Sequence, residues 1–166
     1  MIEITEAALQ AAAEKGTNEF IRVFTDKYKE VLGGDPTAET MALLNGEQHS
    51  LLAYQIFRDE VVEGGFCQLI QNGYGAYLFD NPFAKVMRLW GAEQFSKLVY
   101  AGKKIYDANR ADLERERTDE EFMAMYEPYE AFDKLEEEFG EIENEVTSLL
   151  AHYVDEHIEV FATVLK

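Results

Sequence analysis

The sequence is poor in the residues that staple, kink or punctuate a chain. Cys67 is the only cysteine among 166 residues. One cysteine allows neither an intrachain disulfide nor a thiolate zinc site, and it suits a reducing compartment. Three prolines and few serines leave no stretch with the composition of a linker. No apolar run approaches the roughly 20 residues that a membrane span requires. Residues 1–13, with Glu3 and Glu6, lack the basic-then-apolar pattern of a secretory signal. Basic residues are scarce as well: 15 Lys and Arg stand against 33 Asp and Glu, a net charge of −18. A surface of that sign repels nucleic acid and anionic membranes, which argues against direct binding to either. The expectation is a cytoplasmic protein.

What the sequence has is core-forming material. Hydrophobic residues make up 47% and aromatics 13%, more than a disordered chain carries. The length fits one domain over residues 1–166, and a chain of this size buries enough surface to fold without a disulfide or a metal. The punctuation is that of helices. Thr5 to Ala13 is alanine-rich and stops at Gly16, and Thr17 is placed to cap a helix running to Leu32. Gly33-Gly34 ends it, and Asp35-Pro36 reads as a cap and first-turn proline for a short helix to about Leu44. Asn45 with Gln48, and Thr118 with Glu121, have the spacing of capping boxes. The first opens a helix reaching Val62, which Gly64-Gly65 breaks. Asp80-Asn81-Pro82 restarts helix through Trp90, and Gly91 separates it from another over about 92–109. Pro128 reads as opening a helix that Gly140 ends, and the last helix then runs from Glu141 nearly to Lys166. No stretch alternates as a strand would. The predicted fold is all-α, an irregular bundle of about eight helices with the N-terminal helices of residues 5–32 packed on the rest.

Chemistry is thinly represented. The residues three before His49, His152 and His157 are Gly46, Leu149 and Val154, so the paired E-x-x-H of a di-metal bundle is absent. His152 and Glu156 share one face at i,i+4, but that face is acidic and solvated; no metal and no cofactor are expected. His157 falls on the apolar side and reads as a core histidine. Cys67, beside Phe66, fits a small buried residue better than a nucleophile. Catalytic residues are therefore not assigned, and an enzyme is not the expected class.

Charge is where the sequence is specific. Residues 1–111 hold 15 acids and 11 bases, whereas residues 112–145 hold 15 acids and 3 bases. Concentrated charge creates a directed field. At about 100° per residue, Glu141, Glu145, Asp155, Glu156 and Glu159 share the face opposite Ile142, Val146 and Leu150. On the segment before, Glu130, Asp133 and Glu137 lie opposite Phe132 and Phe139. A packed helix turns charge outward in any case, but it does not need one sign. Asp133/Glu137 and Glu141/Glu145 are like-charge i,i+4 pairs, each destabilising by a few tenths of a kcal/mol where a lysine would stabilise. These eight carboxylates are the candidate binding surface for a basic partner. Successive i,i+4 carboxylates rise about 6 Å against about 3.4 Å per nucleotide along a DNA strand, so dense mimicry of DNA needs two acidic helices side by side or two copies.

One further segment stands out. Residues 60–75 place paired glycines, Gly64-Gly65, at a helix end, followed at once by Phe66. That arrangement allows a left-handed residue and a buried anchor. Gln68 and Asn72, at i,i+4, are placed to satisfy exposed helix-end groups. The segment resembles the E-V-x-N-G-G-F-x-Q-[YF]-[FY]-x-N-S-x-G signature of a bacterial family of DNA-mimic proteins of the DMP type, long known as a domain of unknown function. Glu60, Val61, Gly64, Gly65, Phe66, Gln68, Asn72 and Gly75 match it; Glu63 replaces an asparagine and Gly73 a serine. The resemblance extends to Leu89, Gly91 and Ala92 and covers roughly residues 40–160. It implies a helical, often dimeric protein whose acidic surface engages DNA-binding proteins, with the motif serving the fold. Two other readings stay open at this point: a small-ligand protein or enzyme with a pocket near Phe66, Gln68 and Asn72, and a dimeric scaffold whose charge serves solubility.

Overall fold

The computed structural model describes residues 2–166. The fold is all-α, a multi-helix bundle with nine α-helices among the described residues. The chain forms two compact units, one of Met1–Gln55 with Asn144–Lys166, the other of Ile56–Glu143.

The first unit opens with strand β1 (Glu3–Thr5), helix α1 (Glu6–Lys15) and helix α2 (Thr17–Leu32). The Thr5 hydroxyl accepts from the Ala8 N–H and caps α1. Gly16 rather than Thr17 is the N-cap of α2, so Thr17 is already helical and its side chain makes no cap. Gly33 ends α2 in the left-handed region, φ 78°. The helix expected after Pro36 is replaced by a turn and one 3-10 turn at Met41–Leu43. There Thr37 and Thr40 bond each other's hydroxyls and backbone, the local competition that keeps threonine pairs out of helices. Helix α3 (Gly46–Gln71) supplies its residues up to Gln55 to this unit. Its capping box is formed: Gln48 N–H donates to Asn45 Oδ1 at 2.8 Å, and Asn45 N–H to Gln48 Oε1 at 2.9 Å.

At the other end of the chain, helix α8 (Ala131–Glu156) gives this unit its residues from Asn144, followed by α9 (Ile158–Phe161) and β2 (Thr163–Leu165). The expected helix to Lys166 therefore stops early. The backbone turns at His157 (φ −127°, ψ 34°), whose ring stacks on Tyr153 at 4.1 Å with Nδ1 2.8 Å from the Tyr153 carbonyl. Three side-chain donors then hold the new path. Asn45 Nδ2 donates to the Val160 carbonyl, and Gln48 Nε2 and the Tyr28 hydroxyl both donate to that of Phe161. β2 pairs in parallel with β1, Ile4 opposite Val164. Three-residue strands are too short to alternate visibly, and a parallel partner at the far end of the chain leaves no local signature. The core of the unit gathers Phe20, Phe24, Tyr28, Tyr54 and Phe161, all buried.

The second unit is built on aromatic rings. It holds the rest of α3 and of α8, with α4 (Gly75–Phe79), α5 (Phe83–Leu89), α6 (Glu93–Glu114) and α7 (Asp119–Met125). Phe57 meets Phe66, Phe95 and Phe139 edge-on at 5.0–5.5 Å, and Phe66 stacks on Phe132 at 4.8 Å. Such pairs are worth about 0.5–1.5 kcal/mol each beyond their buried area. Trp90, Met87 and Phe83 are buried. The capping box of Thr118 and Glu121 starts α7. Helix α6 continues past Asn109, where its backbone is irregular (φ −131°), to Glu114. Gly140 does not end a helix: α8 passes straight through it.

Candidate partner-binding surface

Helix α8 joins the two acidic segments that the sequence presents as separate helices. Starting after the turn at Tyr126–Glu130, it runs for 26 residues with buried Phe132, Phe139, Ile142, Val146, Leu150 and Val154 on one side. At about 100° per residue, Asp133, Glu137, Glu141, Glu145, Asp155 and Glu156 all fall within an arc of roughly 140° opposite that side. All six are exposed, as are Glu130 just before the helix and Glu159 on α9. From Asp133 to Glu156 the helix rises about 34 Å. Ser148, His152, Asn144 and Lys134 are the other exposed residues of this arc.

Few counter-charges reach it. His152 Nε2 lies 2.7 Å from Glu156. Among the described residues, no Lys or Arg comes within 4 Å of any of the eight carboxylates. The acids of α8 on the inward side behave differently. Glu143 pairs with Arg58, and Glu136 accepts the Phe66 N–H at 2.8 Å.

Earlier in the acid-rich segment, Asp112, Glu114 and Glu121 are ion-paired, while Glu116, Asp119, Glu120 and Glu127 are exposed without a Lys or Arg within 4 Å among the described residues. Arg110 grips Asp80 with two bonds of 2.9 and 3.0 Å and also reaches Glu114. Arg115 bridges Asp112 and Glu121, and Arg117 donates to both the carbonyl and the carboxylate of Asp112. The Tyr129 hydroxyl, together with Arg115, holds the Asp112 carboxyl below the usual range. Charge counting along the sequence does not separate these ion-paired acids from the unpaired ones of α8.

The glycine motif is a knot of mutual contacts. Gly65 interrupts α3 with φ 74° and ψ −172°, a conformation that side chains other than glycine rarely adopt. The break frees the Phe66 N–H, and Glu136 caps it. A side chain at Gly65 would run into that same carboxylate, and one at Gly64 into Gln68. The Tyr126 hydroxyl donates to the Gly64 carbonyl at 2.6 Å. Gln68 and Asn72 do not serve helix ends, as their spacing suggests. Both donate to the Glu60 carboxylate, at 2.6 and 3.0 Å, clamping the two halves of the bent helix together. Gly75 lies under the Tyr106 ring. Cys67 is buried, and desolvation, reinforced by the charge of Glu136, pushes its thiol up to about 12. A thiol in that state is a poor nucleophile.

Glu136 was not singled out by the sequence, because it sits in the run Glu136-Glu137-Glu138. The signal was there nonetheless: on an uninterrupted helix it falls on the side of Phe132 and Phe139. Burial raises its pKa against the opposing pull of the Phe66 N–H, and Asp133 raises it further.

Among the described residues, no helix is long and apolar enough to cross a membrane. The sequence matches the protein family described as DMP19-like protein over residues 42–157. It is 28% identical over 127 residues to the DNA mimic protein DMP19 of Neisseria meningitidis serogroup B, covering 76% of this chain and 77% of that protein. The segment matched to the family, residues 42–157, contains the bent helix α3, its Glu60–Gln68–Asn72 clamp and all of the acidic helix α8. This chain belongs to the DMP19-like family.

Proposed function

We propose that this protein is an acidic interaction module that occupies the basic DNA-binding surface of a regulator or nucleoid protein in place of DNA. The observation that carries the reading is the outer face of α8. It presents exposed carboxylates, none with a Lys or Arg within 4 Å among the described residues and with Lys134 the one base in the arc, on a helix that rises about 34 Å from Asp133 to Glu156, close to one turn of duplex DNA. Membership of a family that includes a DNA mimic protein supports it. A single row of i,i+4 carboxylates, about 6 Å apart, answers to roughly every second phosphate of one strand. The face therefore suits a partner whose lysines and arginines are themselves spaced along one strand.

Association with such a partner is electrostatically steered and slows as salt rises. The test is the association rate of a DNA-binding protein captured on the immobilised chain. Charge reversal at Glu137, Glu141 and Glu145 lowers that rate by about tenfold or more at low salt and flattens its salt dependence. Reversal at Glu39 and Glu93, exposed acids that α8 does not carry, has little effect. Equal effects of both sets would point to net charge alone and against a directed surface.

A further inference from the structure

The acidic face is not merely a row of charges. Within the first unit, two adjoining hollows of about 310 and 370 Å³ share Ala13, Phe20 and Asp155. The first continues along Ala151 and His152 of α8. The second continues along Leu9 of α1 to Ile158 and Val164. The second hollow is mostly apolar, with Leu9, Ala13, Phe20, Ile158 and Val164, and the first mixes Phe20 and Ala151 with Thr17, Ser148 and His152. The carboxylates lining them are Asp155 and Glu6, and no Lys or Arg lines either hollow among the described residues. Asp155 is exposed and makes no ion pair within the described residues. Glu156, next to it, is held by His152.

Duplex DNA offers a row of charges with no apolar trough beside it. We infer that this groove receives a short basic segment of the partner protein, placing an arginine against Asp155 and a neighbouring apolar side chain on the floor formed by Leu9, Phe20 and Ile158. The inference rests on the acidic-face reading and adds to it a source of selectivity. An arginine suits the site because its aliphatic stem covers apolar surface while its guanidinium meets a carboxylate. A phosphate or a nucleotide is repelled by the two acids. The apolar floor of Leu9, Phe20 and Ile158 lies outside the family match at 42–157, whereas Ala151, His152 and Asp155 of α8 lie within it. The groove thus combines the shared acidic helix with a part of this chain that other members need not possess, which is where discrimination among basic partners belongs.

The test uses the full chain, isotope-labelled, titrated with two peptide amides, acetyl-Arg-Leu-Arg and acetyl-Arg-Gly-Arg. The expected result is saturable amide shifts at Ala13, Gly16, Phe20, Ala151 and Asp155, with the leucine peptide binding several-fold more tightly. Ala13→Phe, an exposed position, fills the groove without altering charge and removes the difference between the peptides. Asp155→Asn weakens both. Equal affinities with shifts spread along Glu137, Glu141 and Glu145 would overturn the inference, as would an Ala13→Phe variant, folded by circular dichroism, that still prefers the leucine peptide. In either case the acidic-face reading stands or falls separately, on charge reversal at Glu137, Glu141 and Glu145.

Discussion

Gly65 and Phe66 show how one backbone conformation can organise a unit. Gly65→Val forces a β-branched residue into φ 74° and against Glu136, and costs about 2 kcal/mol or more. Phe66 is fully buried among Phe57, Phe79 and Phe132, so Phe66→Ala costs about 3–5 kcal/mol. Both are read by chemical denaturation. Glu136 separates charge from hydrogen bonding at the same spot. Burial raises its pKa in the folded protein, so its ionisation opposes folding, and stability drawn from this group declines as pH rises above the ordinary glutamate range. Glu136→Gln keeps an acceptor for the Phe66 N–H and removes the charge. It stabilises the protein at neutral pH, and the gain disappears where the carboxyl is protonated in folded and unfolded chains alike. Denaturation curves at pH 4 and pH 7 check the sign; a Gln variant less stable at pH 7 would contradict it. The sequence pointed to Gly65 and Phe66 through their types and order. It could not show that Gln68 and Asn72 serve Glu60, because those partners meet only once the helix bends.

Helix starts were legible where a side chain makes the cap, as at Asn45 and Thr118. Helix ends were not. Gly140 has the residue type of a terminator, yet α8 continues through it, and a Cβ there would meet nothing within 4 Å. Its neighbours Phe139 and Ile142 are buried, and their packing outweighs the roughly 1 kcal/mol that glycine costs a helix. Gly140→Ala should therefore stabilise the protein by about 0.5–1 kcal/mol, read as a higher midpoint in thermal or denaturant unfolding. Loss of stability would mean that the helix needs a glycine there. The break at His157 was equally hidden, because it is set by Asn45, Gln48 and Tyr28 capturing carbonyls of Val160 and Phe161. These residues are remote in sequence. Continuity at Gly140 places Asp133, Glu137, Glu141 and Glu145 in one row on the proposed surface.

Across the molecule, the formal charge of −18 conceals two kinds of acid. Asp80, Asp112, Glu114 and Glu121 are engaged with Arg110, Arg115 and Arg117, whereas those on the outer face of α8 meet no Lys or Arg within 4 Å among the described residues. The sequence located the excess but not this division, which depends on arginines reaching across turns. The family motif was readable at a glance and turned out to be architecture: it bends α3 and seats Phe66. The acidic face, which the motif does not touch, is the part proposed to meet a partner. The most direct measurement is a competition titration, in which the captured DNA-binding protein, carrying labelled duplex DNA, is titrated with this protein. Mutual exclusion, with the DNA displaced stoichiometrically and less readily by the Glu137, Glu141, Glu145 charge-reversal variant, is the predicted result; a stable ternary complex with DNA still bound at full affinity would contradict it.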